Sequence, residues 1–183
     1  MARKQRGLSI TELSEKLKPV IETLSEETHR GAALVGAAYL DDLLAALLRT
    51  VFIEKCADEL LGRERPLGTF YARICLAYSI GLLDEDDYND LHIVRDIRNA
   101  FAHLYDDLSF ESESVRAKCD KMHLGQLAET VRDSMGLRTT DKERFAASVA
   151  LLGKSLVSTA RTAKRATPAN EFYAGFFSRR RGS

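Results

Sequence analysis

The stretch that decides the fold is GAALVGAAYLDDLLAALLRTVFI, residues 31 to 53. Alanine and leucine dominate it, and both residue types favour helix. Its unbroken apolar runs are much shorter than the ~20 residues that a membrane-spanning helix needs. The acids Asp41 and Asp42 in its middle would also be costly in lipid. We therefore predict that this stretch is the central buried helix of a soluble bundle, apolar on most sides and surrounded by other helices.

The composition of the whole chain agrees with an all-α protein of one domain. Its 183 residues fall within the usual length of a domain, and 45% hydrophobic with 30% charged residues is typical of a folded core. Only 3 prolines and 11 glycines interrupt the helix-forming residues. We predict a single-domain helical bundle of about five to seven helices over residues 1–166, followed by a basic, aromatic tail over 167–183.

Capping residues and apolar spacing predict six helices in this bundle. Most of them begin with a small hydroxyl or acidic residue and continue with apolar positions at helical spacing. Pro19 can kink or divide the first helix, for which Ser9 or Thr11 is the cap, and Ser25 marks the start of the second. The glycines and proline of GRERPLG, residues 62 to 68, end the second. The predicted helices cover about 9–24, 25–61, 69–83, 85–103, 114–134 and 141–166, with Pro168 ending the last.

The cysteines and the first residues of the chain indicate a reducing compartment. Cys56, Cys75 and Cys119 are odd in number and include no C-x-x-C pair, which argues against a disulfide framework or a zinc finger. The start MARKQRGLSITEL is positively charged but lacks the apolar run of a secretory signal. We predict a cytoplasmic protein without a membrane span.

A cation, an amide and an imidazole come together in RDIRNAFAH, residues 95 to 103. Residues four apart share a helix face, so Asn99 aligns with both Arg95 and His103. Arg98 lies about 140° around the helix from His103, so these two meet only by side-chain reach, at a frayed helix end or across a dimer axis. Two interpretations stay open. Either His103 stabilises the helix C-terminus and Arg98 pairs with an acid, or the segment is a reactive site.

The two acids of the central helix are the most unusual carboxylates in the sequence. A buried carboxylate requires a partner, which Arg73, Arg95 or Arg98 could supply. In the structural interpretation, one acid faces solvent and the other forms an ion pair. In the functional interpretation, a carboxylate orients His103 or Arg98. The predicted binding residues are Asp41, Asp42, Arg73 and Arg95.

No metal or cofactor motif is evident in the sequence. Glu26 and His29 form the Glu-x-x-His pair of di-iron bundles, but those sites need a second such pair, and the other histidines have no glutamate three residues before them. A P-loop, a Rossmann fingerprint and G-x-S-x-G are all missing. We therefore expect no metal and no cofactor.

Charge is unevenly distributed although the net charge is zero. Residues 154 to 183 carry seven cations and one acid, and the segment NEFYAGFFSRRRGS interleaves four aromatic residues with a terminal arginine cluster. This pattern suits nucleic acid, an anionic membrane surface or an acidic partner, and equally a tail that is solvated or docks on its own domain. No helix-turn-helix can be placed, so we expect no direct, sequence-specific DNA binding.

The segment IRNAFAH resembles the Arg-Asn-x-x-x-His signature of HEPN domains, which are all-helical modules. Many of those are metal-independent ribonucleases that work as dimers. The resemblance implies that Arg98, Asn99 and His103 form a catalytic site for RNA. His103 would move protons during attack of a ribose 2′-hydroxyl, and Arg98 would stabilise the phosphate charge.

A longer resemblance extends from about residue 26 to 110. The order of motifs is similar to that of the mannitol operon repressor family, helical bacterial proteins associated with repression of mannitol uptake and use. The matching features are the Pro66-Leu67-Gly68 turn, the aromatic-Ala-Arg-Ile run at 71–74, Gly81, Tyr88 and the segment from Arg98 to His103. The resemblance implies a transcriptional regulator that acts through protein partners or self-association, with a bundle related to HEPN domains.

Two functions from different classes therefore follow from the sequence. We favour the regulatory, non-enzymatic function, because the longer resemblance supports it and the catalytic geometry requires a second subunit. The alternative is a metal-independent endoribonuclease that uses Arg98 and His103 at a dimer cleft. We expect a homodimer in either case, with a protein partner for the first function and RNA for the second.

Overall fold

The computed structural model describes residues 9–103, 108–134 and 140–167. Over these ranges the chain forms nine α-helices and no strand, which confirms the predicted all-α class. The helices are α1 (Ile10–Glu15), α2 (Leu17–Glu26), α3 (His29–Val51), α4 (Glu54–Leu61), α5 (Phe70–Ser79), α6 (Glu85–His103), α7 (Glu113–Cys119), α8 (His123–Ser134) and α9 (Asp141–Thr162).

Three of the six predicted helices are each divided in two. The first divides at Lys16, and Pro19 lies in the first turn of α2, where a missing N–H costs no intrahelical hydrogen bond. The second divides at Phe52 and Ile53, and the fifth divides between α7 and α8. The last helix ends at Thr162, four residues earlier than predicted. Pro168 and most of the predicted tail lie outside the described residues, so the domain boundary stays a prediction.

Capping hydrogen bonds explain where the helices begin. The side chains of Ser9, Thr69, Asp84 and Thr140 cap the helices that follow them, each accepting from a backbone N–H three residues later. Ser9 is one of the two caps predicted for the first helix. The start predicted at Ser25 is wrong. That residue lies within α2, where its hydroxyl donates to the Ile21 carbonyl, and the cap of the next helix is Thr28.

Helix α3 occupies the centre of the bundle. The described helices α9, α6, α2, α5, α1 and α4 all pack against it. A Cβ atom at Gly36 would lie only 3.1 Å from Phe145 and from Val149 of α9, so a side chain there would require these neighbours to shift. By length and composition α3 is also apolar enough to cross a membrane, but its surroundings are those of the predicted core helix.

The core is built mainly from the apolar stripes of α3, α6 and α9. The apolar residues that recur at helical spacing along α6 are all buried, and these are Leu91, Val94, Ile97 and Phe101. Phe110 joins α6 to α9, because its ring lies 5.2 Å from that of Phe101 and 5.0 Å from that of Phe145. Ile80 lies within the predicted helix 69–83 but is 47% exposed, because α5 has already ended at Ser79.

Buried carboxylates of α6 connect it to its neighbours. Asp90 is buried and accepts hydrogen bonds from the backbone N–H groups of His123 at 2.8 Å and Leu124 at 2.9 Å, at the start of α8. Asp87 accepts a hydrogen bond from the Ser155 hydroxyl of α9. These bonds fix the orientation of α6, which carries the predicted site residues on its other half.

Candidate functional site

A surface groove of about 1340 Å³ lies between α3, α5, the C-terminal half of α6 and the 62–68 turn. Its floor is the face of α3 that the other described helices leave open. Leu34, Ala38 and Asp42 are exposed on this floor, and Ala45 and Arg49 are half-buried. The groove brings together six of the seven predicted site residues, which are Asp41, Asp42, Arg73, Arg95, Arg98 and Asn99.

Arg73 holds one wall of the groove to its floor. Its Nη1 atom donates to Oδ1 of Asp41 at 2.5 Å, its Nε to the Leu67 carbonyl at 2.9 Å and its Nη2 to the Leu61 carbonyl at 2.9 Å. The Arg73 side chain is only 7% exposed. One planar guanidinium thereby connects α3, the end of α4, the following turn and α5, so this part of the groove has a fixed geometry.

The two acids of the floor have different environments. Burial raises the pKa of Asp41, and the charge and hydrogen bond of Arg73 offset only part of this effect. Asp42 is exposed and forms no hydrogen bond or ion pair with any residue in the described ranges. This is the arrangement of the structural interpretation, in which one acid is paired and the other faces solvent.

Helix α6 contributes two arginines to the opposite wall. Nη1 of Arg98 donates to Oδ1 of Asn99 at 2.9 Å. Nη1 of Arg95 lies 2.9 Å from Oδ1 of Asp96, and its guanidinium carbon lies 5.0 Å from the centroid of the Tyr71 ring. This cation–π contact links α6 to α5 across the groove wall and holds the half-exposed Tyr71 ring in place.

His103 is the predicted site residue that does not line the groove. It is the last residue of α6 and is exposed. An imidazole there can interact favourably with the helix dipole. Within one chain, the described residues therefore do not place Arg98 and His103 in one cleft, and the predicted pair would require a second subunit.

The lining of the groove carries an excess of positive charge. Two aspartates face five arginines, which are Arg49, Arg63, Arg73, Arg95 and Arg98. Arg49 pairs with Asp58 at 2.5 Å. Arg63 forms no hydrogen bond or ion pair with a described residue. Among the described residues Arg98 donates only to the neutral amide of Asn99, and its charge also acts to lower the pKa of Asp41. The uncompensated charge favours an anionic partner.

Sequence reasoning missed Arg63 and Tyr71. Arg63 lies in the segment that was interpreted only as a helix breaker, and its place on the groove depends on how the turn after α4 folds. Tyr71 was noted as part of the family-like run at 71–74. The signal available in the sequence was its polarity and spacing, since it follows the buried Phe70 directly and so lies about 100° around α5 from the core stripe.

The described residues contain no group of three or more His, Cys, Asp or Glu side chains placed to hold a metal ion. Glu26 and His29 are separated by the break between α2 and α3 and do not share a helix face. The Nδ1 atom of His29 instead accepts a hydrogen bond from the backbone N–H of Phe110 at 3.3 Å.

Comparison with known proteins gives one family and a shared fold. A family model described as "Mannitol repressor" matches residues 16–161. The X-ray structure of the MtlR–HPr complex from Escherichia coli is similar with a TM-score of 0.57 and 18% identity, over 80% of this chain and 97% of that chain. A possible transcriptional regulator, YggD from Shigella flexneri, is similar with a TM-score of 0.57 and 14% identity, over 86% and 99%. No individually curated protein matches the sequence.

Proposed function

Because the chain belongs to the mannitol repressor family, we propose that it is a transcriptional regulatory protein that acts by binding a protein partner. The observation that carries this proposal is the groove, where six predicted residues gather on an open surface around a fixed Arg73–Asp41 pair. Arginine and tyrosine are enriched in protein interfaces, and Arg95 and Tyr71 lie side by side on its wall.

The similar structure from Escherichia coli contains MtlR together with HPr. This supports a protein as the partner, and we propose HPr of the same organism as the first candidate. We infer that the protein works in the cytoplasm, as a homodimer, and that regulation occurs through the partner or through self-association. Direct base recognition is a weaker proposal, because the sequence offers no recognition helix.

The ribonuclease alternative has less support. A general base must lie within hydrogen-bond reach of the proton that it takes, close to the cation that binds the phosphate. Arg98 lines the groove and His103 lies outside it. We therefore propose a regulator without enzymatic activity, and the ribonuclease requires an intersubunit cleft.

Two measurements test the proposed function together. Isothermal titration calorimetry of the purified chain with HPr should give saturable binding, and deletion of the gene should change the abundance of mannitol-operon transcripts. Sedimentation equilibrium of the chain alone tests the homodimer. Two results together would contradict the proposal. The chain would not bind HPr, and deletion of its gene would leave mannitol transcripts unchanged during growth with and without mannitol.

A further inference from the structure

The central helix leaves one continuous strip of its surface uncovered. The strip contains Leu34, Ala38, Asp42, Ala45 and Arg49, whose spacing of three or four residues places them on one face of α3. With a rise of 1.5 Å per residue, the strip is about 22 Å long. Most of the remaining circumference of α3 is buried by the other described helices. An elongated ligand could therefore lie along a core helix without any rearrangement.

The walls beside this strip carry positive charge that the described acids offset only in part. Arg63 and Arg98 form no ion pair with a described acid; the charge of Arg98 acts on Asp41, but that carboxylate already pairs with Arg73. Asp42 is the only lining acid of the described chain that has no ion pair. In the sequence, both ends of the chain are also basic, with Arg3, Lys4 and Arg6 before the bundle and Arg179, Arg180 and Arg181 after it. Charge therefore disfavours these ends as occupants of the groove.

The position of Asp42 separates two kinds of anionic ligand. A nucleic-acid backbone presents one negative charge per nucleotide, and along the strip it would meet the Asp42 carboxylate. An α-helix can present different residues to the floor and to the walls, because its side chains project in different directions around the axis. A bound helix can therefore place carboxylates next to Arg63 and Arg98, and a neutral or basic residue next to Asp42.

The floor also suits the close approach of a helix. Ala38 and Ala45 have short side chains, and the distance between packed helices, about 8–10 Å, depends on the side chains at the contact. The exposed Leu34 and Tyr71, at 37% and 52%, offer apolar contacts at the edge of the strip. Helical partners commonly bind in such grooves through residues at i, i+3, i+4 and i+7.

We infer that the groove receives an acidic amphipathic α-helix from a protein partner, with small apolar residues over Ala38 and Ala45 and carboxylates beside Arg63 and Arg98. This inference rests on the proposed partner-binding function and deepens it. It names the secondary structure and the charge of the segment that the regulator recognises.

The inference can be tested with designed peptides and the full chain. The first ligand is an 18-residue helical peptide with alanine and leucine on one face and glutamate along both edges of that face. The matched control peptide has lysine in place of each glutamate. Fluorescence anisotropy should show that the acidic peptide binds at least about tenfold more tightly than the basic one, and more weakly as salt increases. The combined Arg63→Glu and Arg98→Glu substitutions should remove this preference.

Controls distinguish the groove from the rest of the surface. Lys154→Glu changes an exposed cation of α9, outside the groove, and should leave binding of the acidic peptide unchanged. The NMR methyl signals of Ala38 and Ala45 should shift on binding, and the signal of the exposed Ala117 in α7 should not. Far-ultraviolet circular dichroism should confirm that the Arg63 and Arg98 variant is folded.

Several outcomes would overturn the inference. These are equal affinity for the two peptides, an equal loss of binding in Lys154→Glu, tighter binding of single-stranded RNA at the same arginines, or a homodimer that dissociates in the Arg63 and Arg98 variant. If HPr binding and mannitol regulation persist in that variant, the proposed function stands and this groove is not the contact surface. If the acidic peptide binds but HPr does not, and mannitol transcripts do not change, the inference stands and the proposed regulatory function fails.

Discussion

The guanidinium of Arg73, on α5, lies 2.5 Å from the carboxylate of Asp41, on the central helix. The same guanidinium donates to two backbone carbonyls, those of Leu61 and Leu67. Its three hydrogen bonds join four consecutive parts of the chain at the edge of the groove. The groove is therefore shaped by the same interaction that satisfies a partly buried acid.

Replacing Arg73 with methionine should destabilise the protein strongly. The change leaves Asp41 without its partner and two carbonyls without their donor, which should lower the free energy of unfolding by about 3 kcal/mol. Urea unfolding measures this. The control is Arg63→Met, which removes an exposed arginine of the same groove and should change stability by less than about 0.5 kcal/mol. Similar losses in both variants would show that the Arg73 network contributes little.

Cysteine reactivity should differ sharply between two positions. Burial raises the pKa of Cys119 to about 12, and its side chain is inaccessible, whereas Cys56 is exposed. Since the thiolate is the reactive species, iodoacetamide at pH 8 should alkylate Cys56 in the folded protein and Cys119 only after unfolding. Mass spectrometry of the labelled peptides measures both rates. Labelling of Cys119 at the rate of Cys56 would contradict the packing of α7 against the core.

Asp87 should make stability depend on pH. Burial raises its pKa, with the neighbouring charges of Asp84, Asp90 and Asp86 acting in the same direction and the Ser155 hydrogen bond opposing them. The folded chain therefore binds this proton more tightly than the unfolded chain does. The contribution of Asp87 to stability should be most favourable below the unfolded pKa of about 3.9 and should fall as pH rises through the higher folded pKa.

The Asp87→Asn variant isolates this effect, because the amide stays uncharged at every pH. Its free energy of unfolding, relative to the original protein, should increase as the pH rises above about 4 and become constant above the folded pKa of Asp87. A difference that is flat, or that slopes in the other direction, would mean that Asp87 is not desolvated in the folded chain.

Asp90→Ala should loosen the start of α8. The substitution removes the carboxylate that accepts from the N–H groups of His123 and Leu124, at a cost of roughly 2 kcal/mol. Hydrogen exchange of those two amides should become faster than in the original protein. Asn89→Ala changes the exposed neighbour and should leave both amides protected. Unchanged protection in Asp90→Ala would rule out this capping role.

His103 provides the test between regulator and ribonuclease. If the protein is a regulator, purified chain in EDTA should not cleave single-stranded RNA, and His103→Ala should change only stability, by about 1 kcal/mol or less for an exposed residue at a helix end. The opposite result would be cleavage that disappears in His103→Ala while the melting temperature stays the same. That result would favour the intersubunit cleft and reject the non-enzymatic function.

The apolar spacing of the sequence was enough to predict the class of fold and the core face of α6. It also predicted that α3 is central, because few of its faces are polar. Two of the boundaries that differ from the prediction have local explanations. Ser25 followed by acids looks like a helix start, yet the same residues fit inside α2, and the break at Phe52 and Ile53 contains neither glycine nor proline.

The site could be predicted only in part. Arg73 was one of three arginines that could pair with Asp41, and the choice among them depends on how α5 packs on α3. The same packing decides that Arg63 joins the groove and that His103 does not. The spacing of residues along one helix shows which of them share a face, but not how that helix packs on the next one. The positions of these residues relative to the groove depend on that packing.

Helix α3 contributes both to the core and, through its exposed strip, to the floor of the groove. Its inner side is fixed by contacts with most of the bundle, so few residues there can change without loss of the fold. Its outer side can vary only where the new side chain leaves the groove open. Within this architecture, new preferences for a ligand should arise mainly at the rim, at positions such as Arg63 and Tyr71, while the central helix stays nearly constant as the lineage diverges.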